Sequence, residues 1–298
     1  MLKNKSTEDL ILDIIVYGFL ILLIVVTLYP FLHTLAVSFN RGMDSIRGGI
    51  YLWPRKFTTF NYESMLTKRQ NWHAAGISVA RTVLVTVFGT FFTAMLAYVI
   101  SRKDFVLRKF VTFIYILTMY VQGGLIPTYI LYQKLGLTGS FWVYVLPGLV
   151  AAFNLIVVRT YINGLPESLI ESAKIDGASE FTIFLKIIMP LCKPVLATIA
   201  IFTAVWHWSA WWDVFLYNSG HPELSTLQYE LQKVLATARS MSGSMEQAMA
   251  SSENAANAVT PRSVRATMTI IVTVPIAAVY PFLQKYFVHG LTLGGVKE

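Results

Sequence analysis

The chain has 298 residues, 55% of them hydrophobic and only 13% charged, with a mean hydropathy of +0.57 and a formal charge of +8. Soluble domains carry roughly 25% charged residues, so this composition excludes an ordinary water-soluble fold and leaves a multi-span helical membrane protein. Continuous apolar runs exclude a β-barrel, the absence of a basic stripe with interleaved aromatics excludes nucleic-acid binding, and a lone cysteine, Cys192, excludes an internal disulfide and is read as an apolar filler.

In chain order, the first apolar run covers residues 10–37 and follows Lys3, Lys5, Glu8 and Asp9. It is too long for a cleavable signal peptide and shows no clear small-residue cleavage site, so it reads as a first span. Residues 40–76 are polar and broken by Gly48, Gly49 and Pro54. A second span at 77–100 leads to a tight turn carrying Arg102, Lys103, Arg108 and Lys109. A third follows at 110–131, the 135–139 turn is built on Gly136 and Gly139, and a fourth covers 141–161 despite Pro147 and Gly148. A charged segment at 163–188 precedes a fifth span at 191–217. Leu224, Leu227, Leu231, Val234 and Leu235 recur at helical spacing and predict an amphipathic helix, after which 237–260 is rich in Ser, Ala, Met and Asn. The sixth span is 264–287. The expectation is an all-α membrane protein with six transmembrane helices, its amino terminus inside because the short 102–109 turn is basic.

The segment at 163–188 is too polar for lipid. Pro166 suits a first helical turn, Glu167 and Glu171 sit near the positive helix end, Lys174 is placed to pair with Glu171 at i,i+3, and Gly177 suits a left-handed terminator. About 11 residues give a helix of roughly 16 Å, far too short to span. Pro190 and Pro194 then open the next span. These residues alone leave a plain surface connector open. Their spacing resembles the EAA loop of ABC importer membrane subunits: Glu171, Ala173, Gly177, Ile187 and Pro190 match it, with Ser172 for the first alanine and Met189 for a leucine. The resemblance implies a cytoplasmic coupling helix docked into a separate ATPase, with Glu167, Glu171, Ala173, Asp176, Gly177, Ala178 and Pro190 as coupling residues.

Similarity runs further. Gly123-Gly124-Leu125-Ile126-Pro127-Thr128-Tyr129, Leu146-Pro147-Gly148, Asn154, Arg159 and Pro166 resemble sugar-importer permeases. The closing 280–297 stretch from Tyr280-Pro281-Phe282 to Gly294-Gly295-Val296-Lys297 resembles more selectively the LplC/YtcP branch of the MalG-type carbohydrate permeases. These are binding-protein-dependent transport inner membrane components. The resemblance implies a type I (MetI-like) importer fold. It divides the chain into residues 1–76 as a first helix plus extracytoplasmic loop, a permease core at 77–288 with the EAA loop at 163–190, and a cytoplasmic tail at 289–298. It also implies a homologous second permease, two ATPase subunits, an extracellular solute-binding lipoprotein, and an oligosaccharide cargo that includes acidic pectin- and xylan-derived sugars. The setting would be the plasma membrane of a Gram-positive bacterium. The chain has no P-loop, since Val296 stands where the lysine should follow Gly295, so ATP and Mg are used by the partner and this chain carries no cofactor of its own. No enzyme constellation and no metal-ligand cluster is legible, and the five histidines are scattered. Rival readings are an ABC permease for a non-sugar solute and an ion-coupled secondary transporter; the latter would need midplane ionisable groups or an inverted repeat.

Candidate contacts for a sugar lie in two stretches. Trp206 to Asp213 holds four of the seven tryptophans; at helical spacing Trp208, Trp211, Trp212 and Phe215 share one side, and Asp213 is an ionisable residue within a span. His207, with no ligand partners near it, reads as structural or as a hydrogen-bond donor rather than a metal ligand. An interfacial aromatic belt or plain packing would explain the tryptophans equally. Gln122, Gly123 and Tyr129 form the second stretch, where Gly-Gly also suits a packing notch. Asn154 and Asn218 complete the proposed substrate path.

Overall fold

The computed structural model describes residues 7–240 and 259–292, the side chains of 238–240, 280 and 282–292 excepted. The 241–258 part of the Ser- and Ala-rich stretch and the tail from 293 onward lie outside the described residues. Among the described residues the only β contact is an isolated bridge between Asn40 and Phe57, and the rest of the regular structure is helical. The chain divides into two compact units, one from Met1–Arg69 with Leu231–Val274 and one from Gln70–Glu230 with Pro275–Glu298.

In the first unit, helix α1 (Thr7–Ser38) is long and apolar enough to cross a membrane and its most apolar stretch is wholly unburied, so lipid or a partner must cover it. Helices α2 (Gly42–Ile46) and α3 (Phe60–Leu66) order what reads in sequence as a polar loop. Buried Asn40 is the hub: its amide donates to Asp44 and Ser45 at 3.0 Å each and its carbonyl accepts the Lys56 N–H at 2.7 Å. Arg55 closes the ring on Asp44 at 2.9 Å. Burial alone would raise the Asp44 carboxyl, but hydrogen bonds from Asn40 and Arg55 outweigh it and hold it below its ordinary value. The 259–274 segment joins this unit where Thr260 donates to the Gly42 carbonyl at 3.2 Å and Ala266 packs with Ala36, Val37 and Ile50.

The second unit is built on α4 (Arg69–Ser101), whose buried residues Ala74, Ser78, Arg81, Val85, Gly89 and Thr93 recur at three- and four-residue spacing along one stripe. Next come α5 (Arg108–Tyr120), α6 (Leu125–Lys134), two 3₁₀ turns at Phe141–Tyr144 and Leu146–Gly148, and α7 (Ala152–Asn163). Short α8 (Ser168–Ile175) is followed by α9 (Glu180–Ile183), a π-helical turn at Phe184–Ile188 and α10 (Met189–Leu191). Then follow α11 (Lys193–Ser209) and α12 (Trp212–Asn218). Helix α13 (Leu227–Ser240), the one expected from the leucine spacing, belongs to this unit as far as Glu230 and to the first from Leu231. Helix α14 (Pro261–Thr292) belongs to the first unit as far as Val274 and to this one from Pro275. The core joins α4, α7, α8, α9, the π-helical turn and α11 through Ala97, Leu155, Val158, Ile170, Ile183, Phe184 and Ile199, with Cys192 buried among them as a filler.

Among the described residues four helical runs are long and apolar enough to cross a membrane: α1, α4, Phe141–Asn163 and Pro261–Val279. A fifth arises if Glu180–Leu191 and Lys193–Ser209, bent by 81°, count as one span. The expected third span is not continuous. Val121 is extended and Gly124 sits at φ +86°, ψ 170°, a conformation open essentially to glycine alone, so α5 and α6 are separate helices. The expected fifth span likewise stops at Ser209, because Ala210 is extended, and resumes at Trp212.

Candidate functional sites

The first site is α8 and its flanks. Ile170 and Ala173 are buried in the core, which sets the helix down on that face. Gly177, at φ +78°, reverses the chain: its N–H donates to the Lys174 carbonyl at 3.0 Å and the Ala178 N–H to the Ala173 carbonyl at 2.9 Å. This is a Schellman ending, with Ala173 and Ala178 supplying its apolar contact. The opposite face carries Glu171, Ser172, Asp176 and Ile175, the last 87% exposed. Among the described residues Glu171 makes no ion pair, whereas Lys174 turns from it to Glu180 at 2.7 Å and Asp104 at 3.5 Å. The longer reach is rewarded because both acids are brought in by tertiary structure. Lys103 pairs with Glu167 at the other end of α8, and the Tyr98 hydroxyl donates to Glu180. The basic turn after α4 therefore holds the short helix at both ends. The hydrogen bond from Lys103 holds the Glu167 carboxyl below its ordinary value, and the one to Glu180 pushes the Lys174 ammonium up. Pro190 is exposed in α10, just ahead of the 81° bend.

A second site opens where α11 breaks. A cavity of about 670 Å³ is lined by Arg81, Trp206, Ser209, Trp211, Trp212 and Asp213 among others. Arg81 is 1% exposed and reaches both sides of the break: Nη2 donates to Asp213 Oδ2 at 2.5 Å, and Nη1 to the Ala210 carbonyl at 3.3 Å. Its guanidinium also lies 4.7 Å from the centre of the Tyr144 ring. A broken helix in an apolar setting exposes backbone carbonyls that need donors, and Arg81 supplies one to Ala210. Asp213 also accepts the Val214 N–H at 2.9 Å, and its side chain keeps 26% exposure towards the cavity.

The structure regroups the expected substrate-path residues. Trp211, Trp212 and Asp213 line the cavity together, but Trp206 takes the place of Trp208, because the break at Ala210 resets the helical phase. Trp211 and Trp212 meet edge to face at 5.5 Å, and Phe215 packs on both. Tyr129 stacks on Tyr217 at 5.8 Å. Gln122 and Gly123 are exposed in the α5–α6 break, and a methyl group added at Gly123 would meet nothing within 4 Å, so Gly123 is not a packing notch within this chain. Asn154 donates to Thr203 at 3.3 Å, linking α7 and α11. Asn218 is buried and holds the 139–140 turn through Gly139 N at 2.8 Å and Ser140 O at 3.1 Å. Arg81 escaped the sequence reading, although it is the only Asp, Glu, Lys or Arg between residues 70 and 101. That isolation within an apolar run was the available signal.

A family model described as "Binding-protein-dependent transport system inner membrane component" matches residues 87–293. The chain belongs to that family. It is 33% identical, over 99% of its own length and 100% of the relative's, to the polygalacturonan/rhamnogalacturonan transport system permease protein YtcP of Bacillus subtilis. It is 34% identical to protein LplC of the same organism, over 91% of this chain and 90% of the relative's. Among solved structures, a chain of a bacterial ABC transporter involved in importing the acidic polysaccharide alginate is 26% identical, with a TM-score of 0.85 covering 96% of this chain and 99% of that one. The protein is thus a membrane-embedded ABC importer permease subunit and not an enzyme, which sets aside the secondary-transport reading.

Proposed function

We propose that this permease imports an oligosaccharide, acidic ones included, delivered by an extracellular solute-binding lipoprotein and driven by ATP hydrolysis in two separate ATPase subunits. A second, homologous permease completes the pore. Support for the cargo comes from the relatives, whose names specify polygalacturonan, rhamnogalacturonan and alginate, all rich in uronic acids. Six crossings are the reading that accommodates all the apolar segments, with α5 and α6 together forming the third and the bent α10–α11 run the fifth.

The geometry of α8 carries the energy-coupling part of the proposal. One face is fixed to the core through Ile170 and Ala173, the ends are tied by Lys103 and Lys174, and Glu171, Asp176 and Ile175 are presented outward. A rigid helix with one free face can pass on rigid-body movement when an ATPase dimer closes beneath it. Glu167, Ala173, Gly177 and Ala178 shape that helix, Pro190 stands at the bend that leads into the next span, and Glu171 and Asp176 meet the partner. In the proposed path, Gln122, Gly123, Tyr129 and Asn154 lie along the wall, with Trp211, Trp212 and Asp213 at the broken helix. The test is uptake of radiolabelled oligogalacturonides by proteoliposomes holding the complete transporter. ATP-dependent accumulation is expected, and its absence for every saccharide offered would remove the cargo assignment.

A further inference from the structure

The cavity at the broken helix holds an arrangement that permease membership does not explain. Among its charged groups Arg81 is sealed away and Asp213 is the one that faces the space, at 1% and 26% side-chain exposure. Each carboxylate oxygen has two acceptor positions. Oδ2 uses one for Arg81 Nη2 at 2.5 Å, and Oδ1 accepts the Val214 N–H at 2.9 Å with a longer contact to Nη1 at 3.4 Å. Oδ2 therefore keeps one acceptor position free, and the second position of Oδ1 is held only by that 3.4 Å contact, in a cavity whose rings Trp206 and Trp212 are 73% and 50% exposed. Arg81 itself is not satisfied: its buried Nε has no hydrogen-bond partner among the described residues, and neither has Nδ1 of His207, another lining residue.

We propose that Asp213 reads the vicinal hydroxyl edge of a sugar ring lodged in this cavity, with the ring's apolar face against a tryptophan, and that Arg81 is the residue that positions Asp213. The proposal rests on the oligosaccharide reading and deepens it. Two adjacent hydroxyls donate to the two oxygens of one carboxylate, the one on Oδ1 displacing the 3.4 Å contact from Arg81 Nη1, a pairing that neutral and acidic rings both offer. In a uronic acid the ring carboxylate lies across the ring from the C2–C3 edge, so Asp213 fixes which way the ring faces and keeps like charges apart. The acidic group is then read outside this cavity. Arg81 holds the carboxylate by a planar fork whose third point is the Ala210 carbonyl, a geometry that lysine cannot copy.

The experiment uses the complete reconstituted transporter with three probes: a trigalacturonate, its 2,3-O-acetylated form, in which the hydroxyl donors are blocked, and its methyl ester, in which the carboxylates are neutral. The binding protein is common to every arm, so the change in preference between wild type and variant isolates the permease. The wild type should prefer the free over the acetylated probe by about tenfold or more, since hydrogen bonds to charged groups are the stronger kind. Asp213→Asn and the apolar pair Arg81→Met with Asp213→Leu should reduce that preference to below about threefold and leave the acid-to-ester ratio unchanged. Arg81→Lys should raise the KM for the free probe more than for the acetylated one, and Asp213→Glu should restore part of the preference. Uptake that falls equally for all three probes, or a preference that persists in the apolar pair, overturns the inference and makes the ion pair purely structural. Failure of the wild type to import any probe overturns the oligosaccharide reading itself.

Discussion

Gly177 and Asn218 show how a single residue can be placed by its backbone or by its burial rather than by any ligand. At φ +78° an alanine costs roughly 1–2 kcal/mol, enough to loosen the Schellman ending without unfolding the core beneath it. Gly177→Ala is therefore expected to lower the sugar imported per ATP hydrolysed while the amount of protein in the membrane stays constant; equal ratios for variant and wild type would contradict the assignment. Asn218→Ala removes two hydrogen bonds at a buried site, at a cost of about 1–3 kcal/mol. It should lower the thermal midpoint in detergent and leave the preference between sugars untouched, which separates it from Asp213 five residues earlier. Arg81 was legible as a lone charge in an apolar run, but its meaning depends on Asp213, 132 residues away. No local pattern joins two such residues.

At the scale of elements, α8 was readable because everything that makes it is local: Pro166 before it, acids in its first turn and Gly177 after it. The broken helices were less so, since the mean hydropathy of a span is insensitive to two or three residues leaving helical geometry. Gly124 marked one break and nothing in sequence marked Ala210. Gly124→Ala should be poorly tolerated and Gly123→Ala accepted, because only the former sits at positive φ; expression and uptake of the pair compare them directly. The ties that hold α8 are exposed, and each single pair is worth little, but they act on both of its ends. Lys103→Glu or Glu167→Lys alone should reduce coupling several-fold, and the double swap should recover most of it. Their pH dependence has a definite sign. Glu167 lies below its ordinary 4.5, so its contribution is complete above that value and is lost as pH falls through the lowered one. Lys174 lies above its ordinary 10.5, so its contribution is complete below that value and is lost as pH climbs through the raised one. Coupling should thus be flat between about pH 5 and 9, and a sharp step near neutrality would contradict the role of these pairs.

For the whole molecule, an apolar surface without soluble cover is the defining property: the most apolar stretch of α1 is unburied, and Val79, Val83 and Val87 on α4 are exposed. Composition alone announced this. The class of machine came from the spacing of the 171–190 loop, which the family match at 87–293 bears out. The cargo could not be derived in that way, because the residues that line the cavity come from separate helices meeting at a break. The two sites divide the work as the account requires, one being a firmly seated helix with a free outer face and the other an open cavity with one exposed carboxylate. The most direct test is ATP-dependent oligogalacturonide uptake by the complete reconstituted transporter, comparing wild type with Gly177→Arg and Glu171→Lys. The account predicts accumulation by the wild type and none by either variant, with normal amounts of all subunits in the membrane. Full uptake in both variants, or accumulation without ATP by this chain alone, would contradict it.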